Sequence, residues 1–298
     1  METFFQQLVN GLSLGSIYGL IALGYTMVYG ILRLINFAHG DVYMVGAYAG
    51  YYLSTAMRGG QPSFFKAAVV MLGAMIVCAA LGVVIERLAY RPVRGAPKLT
   101  SLITAIGVSL LLENGGQLVF GADPKFFPSL APHHELVVGG LRLTSEQLTV
   151  FVVAFMVAIF LYVLVMKTKT GIAMRAVSFN LDAAKLMGVS TNTIIVITFA
   201  LGSAFAAVAG VLIGMAIPKI DPLMGIMYGL KAFVAAVLGG IGNIWGALVG
   251  GLLIGLAETF VVAYLSPTFR DAIAFTILIG LLIFRPQGLL GRPMREKV

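Results

Sequence analysis

Residues 166–193 read MKTKTGIAMRAVSFNLDAAKLMGVSTNT, a basic and hydrophilic segment between two long apolar stretches. Four basic residues oppose a single acid, Asp182. They are Lys167, Lys169, Arg175 and Lys185. Membrane proteins concentrate lysine and arginine in loops on the cytoplasmic side of the bilayer. The segment is therefore predicted to be a cytoplasmic loop of a protein that crosses a membrane several times.

The composition of the whole chain indicates the same class. Of 298 residues, 59% are apolar and 11% are charged, and the mean hydropathy is +0.99. Soluble domains carry roughly 25% charged residues. The net charge of +8 does not indicate a nucleic-acid groove, because twelve of the twenty basic residues fall in three short loops, as expected of cytoplasmic loops. Besides the four named above, these are Arg87, Arg91, Arg94, Lys98, Arg285, Arg292, Arg295 and Lys297.

The apolar stretches predict an all-α fold. About 20 mostly apolar residues cross a bilayer as a helix, and the chain holds eight such spans in one transmembrane domain covering residues 1–298. A short or re-entrant element near 226–238 makes nine if it also crosses. The glycine turn after it needs cover by protein or by a water-filled cavity. The eight spans are about 3–32, 35–57 (broken early by polar residues), 67–85, 99–120, 148–166, 191–217, 245–264 and 271–284.

The loops also predict the orientation. The loop at 121–147 carries two basic residues against three acids, so it is expected outside. Counting the spans back from this loop to the start of the chain places the N-terminus outside. Counting forward places the basic C-terminal tail in the cytoplasm only if the short element at 226–238 crosses the membrane.

The middle of the cytoplasmic loop at 167–192 is predicted to form a short amphipathic helix. Asn180 is suited to cap its start, and Asp182 then lies in the first turn, where the helix dipole favours an anion. Three residues at helical spacing share one face, and a glycine that tolerates positive φ ends the helix. These are Ala183, Ala184, Met187 and Gly188. Such a helix presents a small, smooth face suited to a groove on a partner; the alternative is an ordinary loop helix.

Several motifs carry a resemblance to a known family. The acid-Ala-Ala-x-x-x-Gly pattern at 182–188 resembles the EAA loop of ABC-importer permeases, with Asp182 where that motif has Glu. The runs NGLSLGSIYGLIALG (10–24), INFAHG (35–40), GGIGNIWGA (239–247) and RPQGLL (285–290) resemble the permease subunit of high-affinity branched-chain amino acid importers. The similarity extends over about residues 5–291.

The resemblance implies the rest of a transport machine in the bacterial inner membrane. It implies a second homologous permease, two ABC ATPase subunits that bind ATP and Mg²⁺, and an extracytoplasmic substrate-binding protein that delivers Leu, Ile or Val. No cofactor or metal is expected on this chain and no enzyme activity, and the EAA-like residues are expected to couple it to the ATPases. The sequence contains no Gly-Lys dipeptide and so no Walker A loop, which also places ATP hydrolysis on other subunits.

Two alternatives share the same helices. The same permease subfamily includes importers of urea and short amides. A self-contained secondary carrier would need no docking helix and would bind coupling ions in the membrane.

Polar residues within the spans are candidates for the substrate pathway. Ionisable groups at membrane depth usually face a cavity or a partner, and a zwitterionic amino acid would need both an acidic and a basic contact. The alternative is that they pair helices with one another. The candidates are Asn36, His39, Asp41, Glu113, Lys231, Asn243 and Glu258.

Small residues recur every four positions in several spans. Such stripes let helix backbones approach closely, either within the chain or at a subunit interface. They are Gly11, Gly15 and Gly19; Gly202, Ala206, Gly210 and Gly214; and Gly246, Gly250, Gly251 and Gly255.

Two further motifs have less specific readings. Gly11-Leu12-Ser13-Leu14-Gly15 matches the G-x-S-x-G pattern of serine hydrolases, with His39 as an imagined base, but the glycine stripe accounts for it. His133-His134-Glu135 is expected in a solvated external loop rather than at a metal.

Overall fold

The computed structural model describes residues 2–57, 61–138 and 140–291, and in these ranges it is almost entirely helical. The expected all-α membrane fold is confirmed. The helices are α1 (Glu2–Leu32), α2 (His39–Ala56), α3 (Phe64–Ile85), α4 (Lys98–Phe120), α5 (Ser145–Lys167), α6 (Lys169–Phe179), α7 (Leu181–Leu186), α8 (Thr191–Ala216), α9 (Met224–Gly239), α10 (Ile244–Tyr264) and α11 (Arg270–Phe284). A π-helical turn, Glu86–Tyr90, extends α3, and a 3₁₀ turn, Pro267–Phe269, precedes α11.

Seven helices of the described ranges are long and apolar enough to cross a membrane: α1, α3, α4, α5, α8, α10, and α11 with its preceding turn. Four helices lie outside this set: the two short loop helices α6 and α7, α2, which has 18 residues, and α9, which has 16. The interior is formed largely by α1, α2, α8 and α9, whereas α3, α4, α5 and α11 expose many large apolar side chains. This is the arrangement expected of a bundle whose outer helices face lipid or another membrane subunit.

Small residues bring the central helices into backbone contact. A Cβ added to Gly255 would lie 2.2 Å from the backbone nitrogen of Gly15, and one added to Gly251 would lie 2.3 Å from that of Gly19. On α8, a Cβ at Gly210 would lie 2.5 Å from the carbonyl oxygen of Tyr43. In these spans the stripes therefore serve packing within the chain.

The break before α2 lies inside the protein. Residues 33–38 leave the end of α1 and turn back, and Asn36, Ala38 and His39 are buried. The His39 ring occupies the space beside Gly24, eight residues before the end of α1, which is about 12 Å at 1.5 Å per residue. The second span therefore begins at His39 and not at residue 35 as expected, because the preceding backbone is irregular and is covered by protein.

The short element, α9, runs between the two ends of the bundle. Its start follows a short strand, β4 (Lys219–Ile220), which pairs with β1 (Lys125–Phe126) of the predicted external loop. At its other end, the carbonyl oxygen of Gly239 accepts a hydrogen bond of 3.1 Å from the Leu290 amide, next to the C-terminal segment. Its 16 residues span about 24 Å, less than the roughly 30 Å of a hydrocarbon core.

The predicted external loop contains the remaining regular structure, a hairpin of β2 (Glu135–Val138) and β3 (Leu141–Thr144). At the other end of the bundle, Arg285 follows α11. The tail residues Arg292, Arg295 and Lys297, which contributed to the predicted orientation, lie outside the described residues.

Candidate functional site

The predicted cytoplasmic loop forms two helices rather than one. Thr168 caps α6 by accepting a hydrogen bond from the Gly171 amide at 3.1 Å, and this longer helix was not predicted. The Ser178 hydroxyl, near the end of α6, donates to the carbonyl oxygen of Gly30. The loop is thus fastened to the end of α1, close to the break before α2.

The second helix, α7, begins and ends at the predicted residues. The Asn180 side chain accepts hydrogen bonds of 3.0 Å from the amides of Asp182 and Ala183. At the other end, Gly188 has φ +82°, and the Val189 and Gly188 amides donate to the carbonyl oxygens of Ala184 and Lys185. This pair of bonds is the Schellman ending, which requires a residue with positive φ.

The exposed face of α7 differs from the predicted one. Ala184 is only 4% exposed and packs on the body of the protein, so it does not share an outward face with Ala183 and Met187. Leu186 is 88% exposed and Phe179, at the end of α6, is 82% exposed. We call these exposed residues, Phe179, Ala183, Leu186 and Met187, the docking surface, after the role predicted for this loop. Phe179 was missed because α6 was not predicted, and Leu186 was missed because a helix of less than two turns cannot be oriented from spacing alone.

Two acidic candidates meet between α2 and α4. Asp41 is 2% exposed, and its carboxylate accepts a hydrogen bond of 2.5 Å from the Ser109 hydroxyl. The same hydroxyl oxygen lies 3.3 Å from the Glu113 carboxylate. A hydroxyl has one hydrogen to donate, so the two acids share one donor. Asp41 and Glu113 therefore form an acidic pair at membrane depth, with Glu113 partly exposed on the outer helix α4.

His39 and Asn36 line the break that precedes this pair. The His39 ring lies 4.7 Å from the Tyr25 ring, and its Nε2 has no hydrogen-bond partner among the described residues. The Asn36 side chain accepts a hydrogen bond of 2.9 Å from the Tyr90 hydroxyl. These contacts hold the irregular backbone against α1 and the π-helical turn.

Lys231 and Glu258 belong to a separate buried ion network. The Lys231 Nζ lies 3.1 Å from Glu258 and 2.6 Å from Asp271. Glu258, which is fully buried, also accepts hydrogen bonds from Arg270 and from the Tyr18 hydroxyl. The two cations and two acids balance and join α1, α9, α10 and α11. This arrangement corresponds to the helix-pairing interpretation, and Tyr18, Arg270 and Asp271 were not identified from the sequence.

Asn243 is the N-cap of α10, and its side chain accepts a hydrogen bond of 3.1 Å from the Gly246 amide. The same side chain donates to the carbonyl oxygen of Leu290 at 2.9 Å. It therefore ties the glycine turn to the C-terminal segment.

A cavity of about 550 Å³ lies between α1, the end of α8 and the predicted external loop, and Ser13 lines it. His39 lies beside Gly24, eleven residues further along α1 and therefore about 16 Å away along the helix. Ser13 and His39 thus cannot form a nucleophile–base pair, which removes the hydrolase interpretation.

His133 is at the rim of this cavity, with ring nitrogens 3.0 Å from Glu146 and 3.4 Å from Glu135. The hydrogen bond and charge of Glu146 raise the pKa of His133. Within residues 2–57, 61–138 and 140–291, no group of three His, Cys, Asp or Glu side chains is arranged to hold a metal ion.

Comparison with known proteins gives matches over almost the whole chain. The family described as "Branched-chain amino acid transport system / permease component" matches residues 7–283. The chain is 45% identical over 302 residues to the high-affinity branched-chain amino acid transport system permease protein LivH of Salmonella typhimurium, covering 99% of this chain and 98% of that one. The corresponding protein BraD of Pseudomonas aeruginosa is 46% identical over 301 residues, with the same coverage.

A more distant relative comes from an archaeon. The probable branched-chain amino acid transport permease protein LivH of Methanocaldococcus jannaschii is 30% identical over 289 residues, covering 91% of this chain and 88% of that protein.

Proposed function

The chain belongs to the branched-chain amino acid transport permease family, and from that membership we propose that it is the membrane subunit of an ATP-driven importer of leucine, isoleucine and valine. The observation that carries the proposal is the 45% identity to LivH over 99% of the chain. The subunit itself catalyses no covalent chemistry in this proposal. ATP and Mg²⁺ are bound and consumed on two partner ATPases, and an extracytoplasmic binding protein delivers the substrate.

The docking surface supports the proposal that the ATPases bind at the loop that carries α7. Leu186 and Met187 are 88% and 84% exposed on a loop whose charge favours the cytoplasmic side. Large apolar side chains that stand together in water mark an interaction site. In the proposed cycle, closure of the ATPases displaces α7, and this displacement reorients α5 and α8, the helices on either side of the loop.

The acidic pair, Asp41 and Glu113, is the part of the structure best suited to line the substrate pathway. Glu113 is partly exposed on α4, an outer helix of which little is buried. We assign this face of α4 to the boundary with the second permease, where the ammonium group of an amino acid would meet Asp41 and Glu113. Lys231 and Glu258 are less suited to the pathway, since both are already engaged in ion pairs.

The direct test is purification from native membranes in a mild detergent, followed by mass spectrometry and reconstitution. We expect an ATPase with a Walker A loop and a second polytopic chain, and transport of labelled leucine and valine that requires ATP and the binding protein. Transport of urea in place of leucine would assign the chain to the urea and amide branch. Recovery of this chain alone with ATP-independent uptake would instead identify a secondary carrier.

A matched pair of variants tests the docking surface. Leu186→Asp is expected to release the ATPases from the purified complex, because the charge would have to be buried in the interface. Leu136→Asp makes the same change at a 59% exposed residue of the external hairpin and should leave the ATPases bound. Retention of the ATPases by Leu186→Asp would contradict the assignment.

A further inference from the structure

Arg94 makes a connection between two helices that the proposed function does not use. It lies in the predicted cytoplasmic loop between the π-helical turn and α4, and its guanidinium donates to Glu86 and, at 2.7 Å, to the side-chain oxygen of Asn192. The Glu86 side chain is 0% exposed and that of Arg94 is 17% exposed. One guanidinium thus joins the end of α3 to the first turn of α8.

A second contact extends the connection to the break before α2. The Tyr90 hydroxyl, from the last residue of the π-helical turn, donates to Asn36 at 2.9 Å. The ring of Tyr90 lies 5.0 Å from that of Phe199 on α8. We call the set Asn36, Glu86, Tyr90, Arg94 and Asn192 the Arg94 bridge.

One end of the bridge is attached to the docking surface. Four residues, 187–190, separate α7 from α8, and the hydrogen bonds of the Schellman ending fix two of them, Gly188 and Val189. A movement of α7 is therefore delivered to the start of α8, where Asn192 lies. Because this connection is short and hydrogen-bonded, α7 and the start of α8 can move little relative to each other.

The other end reaches the acidic pair. Asn36 precedes Asp41 by five residues, and the buried segment between them contains the start of α2. A displacement of Asn36 would change the entry of the chain into α2, and with it the position of the Asp41 carboxylate relative to Ser109.

We propose that the Arg94 bridge transmits the displacement of α7 to the break before α2, and that Arg94 is a positioning residue for transport. The proposal rests on the proposed function, because it takes α7 as the element that the ATPases move. Hydrogen bonds between charged groups are about twice as strong as neutral ones, so this contact can carry a displacement between helices. The π-helical turn that presents Glu86 and Tyr90 is of a kind often found at functional sites.

The test uses the complete importer, with both permeases, both ATPases and the binding protein, reconstituted in lipid vesicles. Leucine uptake and ATP hydrolysis are measured in the same preparation. For Arg94→Met we expect ATP hydrolysis to persist while leucine uptake per ATP falls about tenfold, the size of a typical coupling between sites. Arg91→Met is the matched control, since Arg91 lies exposed in the same loop, and it should retain the wild-type ratio.

A second variant distinguishes a loss of coupling from a loss of stability. Removing Arg94 leaves Glu86 charged and buried, which alone can destabilise the protein. The double variant Glu86→Gln with Arg94→Met removes both charges and should restore the amount of folded complex without restoring the uptake per ATP, because Asn192 still lacks its partner. A wild-type ratio in the double variant would overturn the proposal and leave Arg94 a purely structural role.

The outcome is separable from that of the proposed function. If the ATPases co-purify with all three variants and the ratio is unchanged, the importer assignment stands and the bridge is refuted. If the ATPases fail to bind even the wild-type chain, the proposed function fails first. Tyr90→Phe, which removes only the hydroxyl that contacts Asn36, should lower the uptake per ATP in the same direction, and an unchanged ratio there would also count against the bridge.

Discussion

At the scale of single residues, Gly188 combines a structural and a functional requirement. It ends α7 with φ +82°, and an added Cβ would meet nothing within 4 Å. An alanine there is hindered only by its own backbone conformation, at a cost of roughly 1–2 kcal/mol. A tryptophan would in addition project from the end of the docking surface into the partner.

We therefore predict that Gly188→Trp abolishes transport and ATPase association but leaves the chain inserted in the membrane. Co-purification of the ATPases and uptake of labelled leucine are the measurements. Gly121→Trp is the control, because Gly121 has φ +87° and is equally open but lies on the predicted external side. Normal uptake by Gly188→Trp would argue against α7 as the coupling element.

Glu258 provides a second prediction at this scale, one of stability. Glu258→Gln removes the buried carboxylate that Lys231 and Arg270 share, and it leaves the buried Lys231 only its contact with Asp271. Breaking a buried pair typically costs about 3–5 kcal/mol, so the melting temperature of the purified protein should fall markedly. Asp271→Asn should have a smaller effect, since the Asp271 side chain is 48% exposed. Equal effects of the two changes would show that burial does not set the strength of this network.

The residues that were predictable from sequence are those with local causes. Asn180 and Gly188 act on backbone atoms within a few positions, so the sequence alone identifies the start and end of α7. The partners of Glu258 are Tyr18 and Lys231, which are 240 and 27 residues away along the chain, and Arg270, twelve residues away. Such pairs become visible only once the order in which the helices pack is known.

At the scale of elements, α1 and α10 pack backbone against backbone. The backbones meet at Gly15 and Gly255 and again at Gly19 and Gly251. Close packing of this kind holds membrane helices together, because lipid offers no hydrophobic drive for them to associate. A side chain at these positions would have to displace backbone, which a packed interior resists.

We predict that Gly251→Val lowers the yield of folded protein and its thermal stability by more than the roughly 1–3 kcal/mol typical of overpacking. Gly280→Val is the matched control on α11, where an added Cβ meets nothing within 4 Å. Fluorescence-detected size exclusion of heated samples would compare the two. If Gly251→Val is as stable as Gly280→Val, the helix pair is looser than the structure indicates.

The bounds of a helix were predicted less accurately where the helix is buried in protein than where it is exposed on the outside of the bundle. The helix α2 is interior, and its polar residues His39 and Asp41 are buried in protein, so its apolar signal is weak and its start was placed four residues early. The exposed helix α4 was bounded to within one residue, because its apolar run and flanking charge are both local. The exposed face of α7 was assigned wrongly because it depends on distant residues: the six residues of α7 do not indicate which part of the protein packs against Ala184.

At the scale of the whole molecule, the ends of α9 determine the topology. Its start is next to the strand pair of β1 and β4, and its end contacts Leu290 near the C-terminus. If α9 crosses, the number of crossings is nine. An external N-terminus then requires a cytoplasmic C-terminus, which agrees with the basic residues of the tail. If α9 returned to the side on which it began, the connection before α11 and the C-terminal segment would exchange sides.

Cysteine labelling distinguishes these topologies, and the chain suits the method because its single cysteine, Cys78, is fully buried. We predict that Leu223→Cys, at an exposed position just before α9, and Gln287→Cys, at an exposed position just after α11, react from opposite sides. A membrane-impermeant maleimide should label Leu223→Cys in spheroplasts and Gln287→Cys only after permeabilisation. The unsubstituted chain supplies the background from Cys78. Labelling of Gln287→Cys in intact spheroplasts would mean that α9 does not cross, and would also remove the basic tail from the cytoplasmic side.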